Sequence, residues 1–121
     1  MPKVLLIDDD PQLQEILTKV LVKQKFKVIT ADDGTEGLQQ AKKHSPDAIV
    51  LDIIMPGMDG FEVAQRLGRD RTCAHIPIMV LTAYAAAFAR NAAEEAGVKD
   101  FVAKPFTIDD FVTRLKAMMV P

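Results

Sequence analysis

The sequence predicts a three-layer α/β fold in which a doubly wound parallel sheet is covered by helices on both faces. Two observations predict it. Short apolar runs alternate with helix-like stretches five times along the chain. The apolar runs also differ in polarity in a way that separates central strands from edge strands. Strands joined through helices pair in parallel by right-handed crossovers, so the helices fall on both faces of the sheet.

Val4-Leu5-Leu6-Ile7 is a continuous apolar run that stops at acids, and Asp10 before Pro11 reads as an N-cap with proline in the first helical turn. Leu13, Ile16, Leu17, Val20 and Leu21 then fall on one helical face. A second strand runs from Phe26 to Thr30, and Asp33 with Glu36 resembles a capping box that opens a helix ending near His44, before Pro46. The third strand, Ala48 to Leu51, ends at Asp52. Gly57, Asp59 and Gly60 mark a loop into a helix around Val63, Ala64 and Leu67. The fourth strand, Ile76 to Leu81, ends at Thr82, and an alanine-rich helix to about Ala96 is stopped by Gly97. The last strand, Asp100 to Ala103, reaches Lys104-Pro105. Ile108, Phe111, Val112 and Leu115 stripe the closing helix, and Met118 and Met119 suggest an exposed apolar tail.

Strands one, three and four are wholly apolar, as strands covered on both faces should be. Strand two carries Lys27 and Thr30, and strand five is flanked by Lys99, Asp100 and Lys104. Strands two and five are therefore the edges, and the order is 2-1-3-4-5, the flavodoxin-like arrangement of doubly wound sheets.

One domain, 1–121, accounts for the whole length, because 121 residues enclose a single core and no repeat, low-complexity tract or linker divides them. The composition, 49% hydrophobic and 26% charged, is that of a globular domain. With 15 basic and 17 acidic residues spread along the chain and a net charge of -2, no basic face advertises nucleic acid or anionic lipid. Cys73 has no internal disulfide partner, and neither a membrane-length apolar stretch nor a signal peptide is present, so a cytoplasmic protein is expected.

In a sheet of this order the ligand crevice lies beyond the carboxyl ends of the strands, where the winding reverses. Asp8 and Asp9 follow strand one, Asp52 strand three, Thr82 strand four and Lys104 strand five. Three crowded carboxylates repel, and without compensation at least one would hold its proton at neutral pH. A hard divalent cation relieves the repulsion. The all-oxygen donor set favours Mg²⁺ with phosphate over zinc, since neither His44 nor His75 lies near a strand end and Cys73 stands alone. Phosphoryl transfer needs a nucleophile, positive charge on the equatorial oxygens and a hydrogen-bond donor; a carboxylate, Lys104 with Mg²⁺, and Thr82 supply these. Spacing leaves open which of the three carboxylates accepts.

These motifs, Asp8-Asp9, the run Asp52-Ile53-Ile54-Met55-Pro56-Gly57-Met58-Asp59-Gly60, Thr82-Ala83 and Lys104-Pro105-Phe106, resemble the receiver domain of two-component response regulators, of the chemotaxis-regulator type. The resemblance spans all 121 residues. It implies that Asp52 is phosphorylated by a sensor histidine kinase or a histidine phosphotransfer protein. It further implies that Asp9, Asp52 and the Ile54 carbonyl ligate Mg²⁺ while Asp8 acts mainly through water, that Lys104 pairs with the phosphoryl group, and that Lys104-Pro105 is cis. Thr82 and Phe101 take the switch positions that remodel the surface of the fourth and fifth strand-helix units. Phe101 lacks the hydroxyl of the tyrosine many relatives carry there, so its inward state rests on packing. By the same resemblance the chain is a signalling protein catalysing only its own phosphoryl transfer and slow autodephosphorylation, and monomeric or weakly dimeric on phosphorylation. With no output domain in this sequence, output is expected through an unknown partner, and the sequence leaves open whether this is a stand-alone regulator or a piece of a longer one. The first helix, exposed through Gln12, Gln14, Glu15 and Lys19, is where relatives meet their kinases.

Bulky Ile54 and Tyr84 stand where the family tunes access of hydrolytic water, so a long-lived phosphoryl state is expected. Ile54→Asn and Tyr84→Ala should each shorten it, and an unchanged dephosphorylation rate in both would refute the idea.

Each position also has a structural reading: Asp10 as a cap, Thr82 as a β-branched strand residue, Lys104 as a solvated edge charge, Phe101 as core. Two other functions compete. A haloacid-dehalogenase-type phosphatase would use Asp8 as nucleophile and Asp10 as acid, although Gln12 replaces the small β-branched residue expected after Pro11. A pseudo-receiver would keep the fold as a binding module without phosphorylation, and the five intact chemical positions argue against it.

Overall fold

The computed structural model describes residues 1–52, 60–82 and 98–119. Within them the elements run β1 (Lys3–Ile7), α1 (Pro11–Lys23), β2 (Lys27–Ala31), α2 (Gly34–His44), β3 (Ala48–Asp52), α3 (Gly60–Arg69), β4 (Ile78–Thr82), β5 (Asp100–Ala103) and α4 (Ile108–Met119). The predicted loop at Gly57 and Asp59 and the helix expected between β4 and β5 lie outside the described residues. The five strands form one parallel sheet in the order β2-β1-β3-β4-β5, as the edge polarity of β2 and β5 predicts.

Because side chains alternate across a strand, each strand feeds both faces of the sheet. Leu5, Ile7, Ile49, Leu51, Ile78 and Val80 pack with Ala41 of α2 and Val63, Ala64 and Leu67 of α3. Val4, Leu6, Val50, Met79, Leu81 and Val102 pack on the other face with Leu17 and Leu21 of α1 and Phe111, Val112 and Leu115 of α4. The layers follow from this alternation.

Local chemistry sets the helix ends. Asp10 Oδ1 accepts hydrogen bonds from the Gln12 and Leu13 amides at 3.0 and 3.4 Å, capping α1. Asp33 Oδ1 accepts from the Glu36 amide at 2.8 Å, but Glu36 Oε2 reaches back to the Asp32 amide, so the expected capping box is shifted by one residue. Lys3 Nζ donates to the His44 carbonyl at 2.6 Å, placing a cation on the C-terminal end of α2.

Four expectations need correction. Ile16 is 52% exposed, because it lies at the margin of the α1 stripe whose centre is Leu17 and Leu21. Gln14 is half-buried and hydrogen-bonded, not solvent-facing. β4 begins at Ile78: the Ile76 amide donates to the Cys73 carbonyl at 2.9 Å and closes a turn, although its side chain is buried. Met118 and Met119 are not an exposed tail; both are half-buried against the α1/α4 core.

Parallel winding puts the N-termini of the described helices at one edge of the sheet and their C-termini at the other. Acids collect at the first edge, with Asp8, Asp9, Asp10, Glu36, Asp52, Glu62, Asp109 and Asp110. Lys23, Lys42, Lys43, Arg66, Arg69 and Lys116 occupy the last turns of the helices at the opposite edge, where they complement the helix dipoles. Most charges that are interspersed in the sequence are thus separated in space; exceptions include Lys104 in the acid cluster and Asp47, Asp70 and Asp100 at the basic edge, where Asp70 pairs with Lys42 and Asp100 with Arg114.

Gly37 sits where α2 presses on β1. A Cβ there would lie 2.6 Å from Ile7 Cδ1 and 2.9 Å from Ile7 Cγ1. Gly37→Ala should destabilise the domain by about 1–3 kcal/mol through overpacking, despite the better helix propensity of alanine. Gly68, in α3, has no heavy atom within 4 Å of such a Cβ. Gly68→Ala should therefore stabilise by up to about 1 kcal/mol. Denaturant melts of both variants check the opposite signs.

Candidate phosphoryl-acceptor and metal site

Strand register builds the site. Ile7 pairs with Leu51, so the next residues, Asp8 and Asp52, stand side by side at the carboxyl edge of the two central strands. Asp52 pairs with Leu81 and Thr82 with Ala103, which brings Thr82 and Lys104 to the same rim. The Lys104 amide donates to the Thr82 carbonyl at 2.6 Å, extending the β4–β5 ladder by one rung. The Lys104-Pro105 bond is cis.

Asp8 and Asp52 are buried, at 5% and 8% exposure, while Asp9 is exposed. One carboxylate oxygen from each lies within 4.8 Å of the other two. Lys104 Nζ reaches into this cluster and donates to Asp52 Oδ2 at 3.1 Å. Lys104 is therefore a partner of Asp52 and not a solvated edge charge. Thr82 is fully buried, and Phe101 is buried in the α2/α3 core. Ile54 and Tyr84 lie outside the described residues.

The electrostatics follow from burial. Loss of water pushes the Asp8 carboxyl up to about 6; the Asp10 amide, donating to Asp8 Oδ1 at 2.9 Å, opposes the rise, and the charge of Asp52 adds to it. The sequence predicts that repulsion among the three acids keeps one of them protonated at neutral pH. In the structure burial is the larger cause of the rise, repulsion from Asp52 and Asp9 adds less, and a value of about 6 leaves Asp8 mostly ionised at pH 7.

An all-oxygen set of three carboxylates suits a hard cation such as Mg²⁺, whose charge would offset the cost of keeping Asp8 ionised. His44 ends α2 at the opposite edge of the sheet, His75 is exposed in a turn and Cys73 is a buried free thiol, so none of them contributes to a softer site here. Asp10 turns its carboxylate onto the N-terminus of α1, which leaves it poorly placed as the acid of a haloacid-dehalogenase-type phosphatase.

Sequence reasoning missed Gln14. Its side-chain nitrogen donates to the Ala31 carbonyl at 3.1 Å, the Asp8 carbonyl at 3.3 Å and Asp32 Oδ1 at 3.4 Å. These partners lie up to 18 residues away, beyond any helical or strand period. No helix among the described residues is long and apolar enough to cross a membrane.

The family model for the response regulator receiver domain matches residues 4–116. The DNA-binding dual master transcriptional regulator RpaA of Synechocystis is 36% identical over 119 residues, covering 98% of this chain and 49% of the regulator. The chain spans about half the length, or less, of the curated relatives it matches. A putative response regulator from Chloroflexus aurantiacus superposes with a TM-score of 0.92 at 36% identity, covering 98% of this chain and 97% of that one. The receiver domain of the sensor histidine kinase PA1611 from Pseudomonas aeruginosa, with a magnesium ion coordinated in its active-site cleft, superposes at 0.89 and 27% identity, covering 98% and 97%. The chain belongs to the response regulator receiver domain family of two-component signalling.

Proposed function

We propose that this chain is a phosphoryl-accepting switch in which Asp52 takes a phosphoryl group from a sensor histidine kinase or a histidine phosphotransfer protein, with Mg²⁺ held in the acid cluster. The observation that carries this reading is the Lys104 ammonium placed 3.1 Å from Asp52 inside a cluster of three carboxylates. A lysine that only paired with an acid would not need two further carboxylates beside it. A phosphoryl site needs both, anions to hold a cation and an ammonium to neutralise the transferred group. The magnesium ion of the PA1611 receiver supports the choice of metal.

Asp9 and Asp52 would hold the ion with the Ile54 carbonyl, and Asp8 would hold it through water; when bound, it neutralises charge on the phosphoryl oxygens. An Asp52 carboxylate oxygen attacks phosphorus in line as the bond from phosphorus to the donor imidazole nitrogen breaks and its electron pair returns to that nitrogen. Lys104 Nζ takes up the phosphoryl charge, and the Thr82 hydroxyl donates to a phosphoryl oxygen. Movement of Thr82 toward the phosphoryl group, beside a Phe101 ring already packed in the core, would remodel the surface of the fourth and fifth strand-helix units for a downstream protein. The receiver unit is taken as 1–121, in the cytoplasm, with only its own phosphorylation and slow dephosphorylation as chemistry.

Incubation with a small-molecule phosphodonor, with and without Mg²⁺, followed by intact mass and peptide mapping, tests the reading. A Mg²⁺-dependent, base-labile adduct on Asp52 is expected. No adduct on a folded protein would leave the pseudo-receiver reading.

A further inference from the structure

We infer that Gln14 is a positioning residue for the divalent-cation site, its side-chain amide fixing the peptide from which Asp9 projects. The inference rests on the proposed cation site. The atom of Gln14 that faces the Asp8 carbonyl, the Ala31 carbonyl and Asp32 Oδ1 meets only acceptors, so it is the amide nitrogen and not the amide oxygen. The main chain of Gln14 is fixed by the helix: its amide donates to the Asp10 carbonyl at 3.0 Å, and its own carbonyl accepts from Thr18 Oγ1 at 2.7 Å. The side chain is a short strut from a rigid turn to the end of the sheet.

Its reach is what gives it a role beyond packing. β1 and β2 pair through five residues, and the Asp8 amide adds a further bond to the Ala31 carbonyl at 3.1 Å, so the sheet does not depend on Gln14. Beyond that bond the chain leaves the ladder: the peptide joining Asp8 to Asp9 lies after the last β1–β2 rung and before the first residue of α1. The Asp8 carbonyl belongs to the peptide joining Asp8 to Asp9. A donor on that oxygen fixes the peptide plane, and with it the direction in which the Asp9 side chain leaves the chain. The Asp10 amide orients the Asp8 carboxylate in the same loop, at 2.9 Å. Asp32, the third partner of Gln14, is held in turn by Glu36, which ties the strut to the first turn of α2.

Removal of the hydrogen bonds that orient metal ligands typically costs 10–100-fold in affinity. Gln14→Met keeps length and removes the donor; Gln14→Glu sets a carboxylate against three acceptors. Gln24→Met is the control, since Gln24 also makes a cross-element hydrogen bond, from Lys116 at 2.8 Å, at the opposite edge of the sheet. Mg²⁺ is titrated calorimetrically into each metal-free protein, and melting is followed separately. The expected result is binding at least about 10-fold weaker in Gln14→Met, weaker still in Gln14→Glu, unchanged in Gln24→Met, with all variants folded at the assay temperature. Wild-type affinity in both Gln14 variants overturns the inference, as does equal weakening in Gln24→Met or a Gln14→Met protein already unfolded. Absence of Mg²⁺ binding to the wild type removes the cation site itself, and the inference with it.

Discussion

Asp52→Asn should abolish phosphoryl incorporation: incubated with a phosphodonor and Mg²⁺, the variant gains no mass where the wild type gains one adduct. The substitution is nearly isosteric, so the loss reports chemistry and not shape. A carboxylate oxygen can form the acyl phosphate, whereas a neutral amide is a far weaker nucleophile and a poorer ligand for a hard cation. The amide oxygen still accepts a hydrogen bond from Lys104, which limits structural damage around the 3.1 Å pair. Loss of the Asp52 charge also removes one of the influences that raise Asp8. An adduct that persists and maps to Asp8 or Asp9 would move the acceptor to that residue. A phosphatase built on Asp8 would keep its activity in this variant, so turnover of a phosphate ester by Asp52→Asn would favour that alternative.

Asp8→Asn should make the metal-free protein more stable at pH 8, by about 3 kcal/mol, and the gain should shrink as the pH falls. The sign follows from the shift. In the folded state the Asp8 carboxyl is raised from 3.8 to about 6, so between these values the folded chain binds more protons than the unfolded one. Stability that depends on protonated Asp8 is fully present below pH 3.8 and is lost as the pH rises through 6. Asparagine resembles the protonated form at every pH and avoids that loss. Asp70 moves the opposite way: the hydroxyl and amide of Thr72 hold its half-buried carboxyl below the ordinary value. The useful quantity is therefore the difference between variant and wild type in urea titrations from pH 4 to 8. A flat difference would show that Asp8 is not strained by its burial. Saturating Mg²⁺ should narrow the gap at pH 8, because the ion compensates the wild-type carboxylate and has less to offer the amide.

The sheet was legible because its code is local. Runs of four apolar residues bounded by acids, proline or a polar residue mark the three central strands, and Lys27 in β2 and Asp100 in β5 sort edges from centre without any knowledge of contacts. The acid cluster was legible for a related reason: once the strand order is known, the residue after each strand falls at one edge, and Asp8, Asp9 and Asp52 need no further information to meet. What remained hidden depends on depth or on reach. Ile16 and Leu17 are equally apolar, yet only the packing of α1 on the sheet decides that the first faces water. Ile76 has the composition of a strand residue, but its amide closes a turn with Cys73. Gln14 sits among polar helix residues that look alike in the sequence, and its partners at Asp8, Ala31 and Asp32 come together only after folding.

Among the described residues, the excess of acids at one edge and of lysines and arginines at the other makes an electric dipole along the strands despite a net charge of only -2. In the field of a cationic surface such a dipole experiences a torque that turns the Asp52 end forward before any contact is made. The torque fades beyond about 10 Å at 0.1 M salt. Orientation during the final approach is therefore written into the winding of the chain as much as into any single residue.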